Sequence, residues 1–154
     1  MLVKTYGCAV FGIEATIVTV EVNISNGVNF FLVGLPDSAV KESQQRIQAA
    51  LKNNGYKIPV KEITVNMAPA DIRKEGSAYD MTIAMGILAA SEQINPEKVS
   101  EYLIMGELSL DGSLQPLKGV LPIAIEARKH GLKGIILPKQ NAREAAIVDG
   151  MDVY

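Results

Sequence analysis

Residues 63–91 read ITVNMAPADIRKEGSAYDMTIAMGILAAS, and this stretch decides the fold. Its head belongs to a strand contained within Ile58 to Met67, with Ile63 and Val65 facing one way in the alternation of a half-buried strand. Its tail belongs to a helix from about Tyr79 to Gln93 that is apolar around most of its circumference, and such a helix is buried on several sides. Its apolar run, Met81 to Ala90, is far shorter than the roughly 20 residues that cross a bilayer. The polar stretch Ala68 to Ala78 joins strand to helix.

Upstream the pattern is that of strands. Val18, Val20, Val22 and Ile24 alternate with Thr19, Glu21 and Asn23, and Leu2 to Phe11 supplies a partner strand turned by Gly12-Ile13-Glu14. Ser25-Asn26-Gly27 is a turn signal, so Asn29 to Val33 returns as a third strand and predicts an antiparallel meander. Gly34-Leu35-Pro36 stops that strand, and Asp37 or Ser38 caps the next helix. Val40, Ile47, Ala50 and Leu51 share its inner face, and Gly55 closes it after Lys52. Lys41, Arg46 and Lys52 fall on the outer side, a solvated face that nucleic acid is the alternative occupant of.

Downstream, Leu103-Ile104-Met105 is a strand, and Asp111-Gly112 turns a hairpin before Ser113-Leu114-Gln115. Lys118 to His130 is helical, with Pro122 in the first turn and Gly131 after the last. Gly134 to Leu137 is a short strand, Ala142 to Val148 a short helix, and Asp152-Val153-Tyr154 opens one more strand. Strands and helices in this order predict one α+β domain over 1–154, a mixed sheet with helices packed on it.

Composition narrows the function classes. With 48% hydrophobic and 21% charged residues the chain is not disordered, and a net charge of −2 gives no strongly basic footprint for nucleic acid. Cys8 is the only cysteine, so there is no internal disulfide, no Cys/His cluster offers a metal site, and the cytoplasm is the expected compartment, with no membrane partner. The start, MLVKTYGCAVFGIEA, reaches Glu14 after a short apolar run and is no secretory signal. There is no G-x-x-x-x-G-K-[ST] phosphate loop, no G-x-G-x-x-G and no H-E-x-x-H. His130 is the only histidine and sits at the end of a helix.

The segment with the most chemistry is Met67 to Asp80. Gly76 and Ser77 before a helix expose backbone N–H groups at the positive end of the helix dipole, and Arg73 and Lys74 add charge. Arg73, Lys74, Gly76 and Ser77 are thus the candidate anion or DNA contact, partly offset by Glu75 and Asp80. The plainer alternative is that Ser77 or Asp80 caps the helix and Gly76 supplies a turn.

Four segments carry a resemblance: GIEATIVTVEVNISNG (12–27), VGLPDSAVKESQQRIQAAL (33–51), residues 63–91 above, and MGELSLDGSLQPLKGVLPIAIEARKHG (105–131). In register over essentially the whole chain, they resemble the amino-terminal domain of the magnesium-chelatase-like AAA+ ATPases of the competence-protein ComM (YifB) type. The resemblance implies a ribosomal-protein-S5-domain-2-like fold, shared with the Lon proteolytic domain. It implies too that the chain is an excised domain whose longer parent carries Walker motifs, uses ATP and Mg2+, and assembles as a homo-hexamer acting in DNA branch migration.

The Lon relationship raises a peptidase reading. Lon-type proteases carry P-K-D-G-P-S-A-G, with the serine nucleophile at the start of the buried helix, and a lysine base in the helix after G-E-[IL]-x-L-x-G. Matched residue by residue, Lys74-Glu75-Gly76-Ser77 fall on K-D-G-P, so Ala78 stands at the nucleophile, and Ile123 stands at the base. Ser77 lies one position early and Lys118 five residues early, leaving only a shifted dyad. A serine hydroxyl needs an adjacent base to be nucleophilic near neutral pH. The resemblance therefore implies a domain without peptidase catalysis and without a cofactor of its own. It serves ring assembly or DNA contact, the latter weak for one domain, or alternatively protein docking in a chelatase-like or chaperone-like motor.

Overall fold

The computed structural model describes all of residues 1–154. Leu2–Phe11 (β1) and Glu14–Ser25 (β2) pair antiparallel in one unbroken register, from Leu2 opposite Asn23 to Phe11 opposite Glu14. Phe30–Val33 (β3) leads into two helical segments, Ser38–Lys41 (α1) and Ser43–Asn53 (α2), and then to Glu62–Ala68 (β4). The second half runs through Asp80–Ala90 (α3), Pro96–Val99 (α4), Tyr102–Ile104 (β5) and the hairpin Glu107–Leu108 (β6) with Leu114–Gln115 (β7). Val120–Lys129 (α5), Gly134–Ile136 (β8), a 3₁₀ turn at Lys139–Asn141, Ala142–Ala145 (α6) and Asp152–Val153 (β9) complete the chain.

The main sheet has seven strands in the order β3-β4-β2-β1-β5-β8-β9, antiparallel across β4-β2-β1 and parallel elsewhere. The fold is α+β with a mixed sheet, as the sequence predicts. The expected meander is corrected. β4 inserts between β2 and β3, and β3 runs parallel to β4 because α1 and α2 make the crossover that parallel neighbours require. The helix expected after Gly34 is also two pieces, broken at Glu42. α4 was not foreseen; Asn95 accepts the Glu97 N–H at 2.9 Å and Pro96 opens the turn.

The valine alternation of β2 is buried as expected, with Val18, Val20 and Val22 all at 0% exposure. Helices cover both faces of the sheet. On one face α3 packs so closely that a Cβ on Gly86 would lie 2.6 Å from Val22 Cγ2, which only a glycine permits. On the other, the end of α5 sets His130 against Tyr6, ring centroids 5.5 Å apart. α3 spans the core as the apolar pattern requires, but it ends at Ala90, before the expected Gln93, with Glu92 at φ 60°.

A buried ion pair lies at the edge of this core. The Asp80 carboxylate, fully buried at the first residue of α3, accepts Nε (2.6 Å) and Nη2 (2.9 Å) of Arg46 and the Leu108 N–H (3.1 Å). Arg46 Nη2 also donates to the Ala39 carbonyl at 2.8 Å. Arg46 is therefore not part of a solvated face, whereas Lys41 and Lys52 are exposed. Neither Ser77 nor Asp80 caps α3: the N-cap position is Tyr79, without a side-chain bond. Asp80→Asn should destabilise the fold by about 3 kcal/mol, because it leaves a guanidinium inside without its carboxylate. The check is a lower urea midpoint at unchanged slope, with Arg46→Met and Asp80→Asn together costing less than their sum.

Candidate functional site

The two loops that precede α1 and α3 are built against each other. At Gly34 the backbone has φ 104°, and a Cβ there would overlap the Met67 carbonyl of the neighbouring strand, so glycine is required. Leu35 is held at φ 58°, unusual for a side chain of its size, with its carbonyl accepting the Lys74 N–H at 3.0 Å. Asp37 N–H donates back to the Lys74 carbonyl at 2.9 Å. The Asp37 carboxylate caps α1 through Val40 N–H (2.8 Å) and accepts the Gly76 N–H with its other oxygen (3.0 Å).

This knot disperses the four candidate anion contacts. Lys74 is corrected outright as a surface charge: its side chain is 0% exposed, and Nζ donates to the carbonyls of Gly34 (2.7 Å) and Pro69. The Gly76 N–H is taken by Asp37, and the exposed Arg73 guanidinium sits 3.5 Å from Glu75 Oε1. Ser77 alone turns away, into a cleft. Arg73 is the one candidate side chain that offers charge to solvent.

That cleft, about 330 Å³, opens between the start of α3 and the start of α5. Ser77, Ala78 and Tyr79 line one wall, Leu117, Lys118 and Ile123 the other, with Cys8, Val10 and Met105 between them and Glu75 and Glu107 in the lining. The fold thus brings Ala78 and Ile123, matched separately to the Lon nucleophile and base, into one cavity together with Ser77 and Lys118. Burial pushes the Cys8 thiol up to about 12, helped by Glu126, and burial likewise raises the Tyr79 phenol, so neither ionises near neutral pH. Tyr79 donates to the Cys8 carbonyl at 3.4 Å. Sequence reasoning offered Asp37 as a helix cap, which it is, but missed its second bond to Gly76, and it missed Glu107, which enters the cleft from β6; the Gly-Leu-Pro-Asp and Gly-Glu-Leu runs were the available signals.

Burial also lowers the Lys74 pKa from its ordinary value, against a smaller opposing effect of Asp71. Between the lowered and the ordinary value the unfolded chain holds a proton that the folded chain has released, so this group makes stability rise with pH there. The unfolding free energy of wild type minus that of Lys74→Met, from urea titrations across alkaline pH, should therefore climb toward the ordinary lysine range. A flat or falling difference would mean that Nζ stays protonated on its two carbonyls.

Residues 20–141 match the family described as subunit ChlI of Mg-chelatase. The chain is 45% identical over 154 residues to competence protein ComM of Haemophilus influenzae, covering 99% of this chain and 30% of that protein. It is 46% identical over 143 residues to the protein YifB of Escherichia coli, covering 92% of this chain and 28% of that one. Lon protease 2 of Bacillus subtilis is more distant, 29% identical over 118 residues, 75% of this chain and 21% of the protease. The chain spans just under a third of the length of ComM and YifB. Because the family match runs from β2 through the 3₁₀ turn, and so takes in both walls of the cleft, the chain belongs to the Mg-chelatase ChlI family, alongside ComM and YifB.

Proposed function

We propose that the chain is a non-catalytic accessory domain of a ComM-type AAA+ ATPase, contributing to ring assembly, DNA contact or both during branch migration in natural transformation and recombination. The observation that carries this reading is the pairing of Ala78 and Ile123 across one cleft: a methyl group and a branched alkyl stand where Lon-type chemistry needs a hydroxyl and an amine. ATP and Mg2+ belong to the rest of the parent, since the sequence of this chain has no phosphate loop. The parent works as a homo-hexamer in the cytoplasm. A second reading, a protein-docking module of a chelatase-like or chaperone-like motor, is favoured by the open cleft itself.

Incubated with unfolded casein and fluorogenic peptides, the chain should release no product above a blank. Turnover that Ser77→Ala or Lys118→Ala abolishes would overturn the non-catalytic reading and establish the shifted dyad.

DNA contact rests on Arg73, since Lys74 is inside. With so few phosphates neutralised, duplex or branched DNA should bind at roughly 10⁻⁴ M or weaker at physiological salt, with a shallow salt slope. Avidity in a hexamer would multiply this. Arg73→Glu in the full-length ring should reduce branched-DNA binding by anisotropy; unchanged binding and migration would remove this loop from the DNA path.

A further inference from the structure

We propose that the cleft between α3 and α5 holds an extended segment of a partner protein, one that presents a basic side chain between apolar ones, and holds it without cutting it. The inference deepens the protein-docking reading and rests on the non-catalytic one.

The lining sets the ligand class. The N–H groups of Ser77 and Ala78 have no acceptor within the chain, and both residues line the cleft. An extended backbone supplies carbonyl oxygens to such donors at every second residue, as an added strand does. Val10, Leu117 and Ile123 give apolar surface, and the Ala78 methyl group leaves the space beside it open for a side chain. Charge then separates a peptide from a nucleic acid. Glu107 is half-buried in the lining and makes no hydrogen bond or ion pair, while Arg46, which feels its charge, is already engaged by Asp80. A half-buried, unpartnered carboxylate is stabilised by a guanidinium or ammonium and repels phosphate. Glu75 adds a second carboxylate beside Arg73, and the exposed Lys118 on the opposite wall is the one cation in the lining, so two carboxylates face one ammonium.

The test uses the whole chain and two fluorescein-labelled, unstructured heptapeptides, one alternating leucine with arginine and one alternating leucine with glutamate. Anisotropy should show saturable binding of the arginine peptide, about tenfold or more tighter than the glutamate peptide, in line with one charge-assisted hydrogen bond. Glu107→Gln should erase most of that preference at unchanged unfolding midpoint, and Ala78→Trp should abolish binding by filling the cleft. Equal binding of the two peptides, or full retention of the preference in Glu107→Gln, would overturn the inference even if Ala78→Trp fails to fold. Chromatography of the bound peptide keeps the two readings apart. Intact peptide at saturation supports both; cleaved peptide overturns the non-catalytic reading; intact peptide with no binding overturns the cleft inference alone.

Discussion

A fully buried carboxylate at the first residue of a helix is the constraint that the rest of the molecule answers to. α3 is apolar on nearly all sides and lies inside, so its N-terminal end, with Asp80, has to lie inside too. Water cannot solvate that charge. A bidentate guanidinium and one backbone N–H do so instead, and each donor comes from a different element. Arg46 fixes α2 against α3, its contact with Ala39 fixes α1, and the Leu108 N–H fixes the β6–β7 hairpin. An interior ion pair of this kind contributes little net stability against an apolar substitute, yet breaking it is costly. Its structural consequence here is positional: it sets the hairpin, and with the hairpin Glu107, beside the start of α3.

A second knot of polar contacts sits one loop away and has a different logic. Lys74 is buried without a carboxylate bonded to it, held by the carbonyls of Gly34 and Pro69. Those carbonyls belong to chain segments that cannot satisfy them with sheet bonds, since both lie where strands end. The positive φ of Gly34 and Leu35 turns the Gly34 carbonyl inward, and Asp37 closes the arrangement from the other side by bonding both α1 and Gly76. Strained backbone, an interior cation and a two-handed aspartate together hold the residues that lead into α3 in one path. Ser77 and Ala78 therefore reach the cleft along a rigid approach rather than a free loop.

Periodicity made much of this legible. The alternation in β2, the all-round apolarity of α3, the Asp111-Gly112 hairpin and the Gly131 stop each rest on local rules, and each survives in the structure. What local rules could not supply was the partner of each strand. Nothing in Asn29 to Val33 says that a strand thirty-odd residues later will slip in beside β2, because that outcome is set by the crossover through α1 and α2. Long polar side chains were the other blind spot. A helical wheel places the Cα of Arg46 toward the outside, but its flexible stem lets the guanidinium reach back to a buried acid. Lys74 looked like loop charge for the same reason; only the backbone path reveals two carbonyls waiting for it. The cleft was half legible: the Lon-like matching chose Ala78 and Ile123 independently, and the fold places them together.

The persistence of that cleft does not require catalysis. Its walls are the first turns of α3 and α5, and both helices bury residues that the core cannot lose: Ile83, Ala84 and Ile87 from one, Val120, Ala124 and Ala127 from the other. The space between them follows from anchoring each helix elsewhere, α3 through Asp80 and α5 through its apolar face and the turn at Gly119, where φ is 72°. Alanine and isoleucine at the two matched positions add apolar lining without moving either anchor, whereas an isolated amine beside Ile123's neighbours would have to be desolvated. A scaffold of this kind separates shape from reactivity. The shape is fixed by ion pairing and helix burial outside the cleft, and the reactivity by the side chains that happen to face it, so one can change while the other stays.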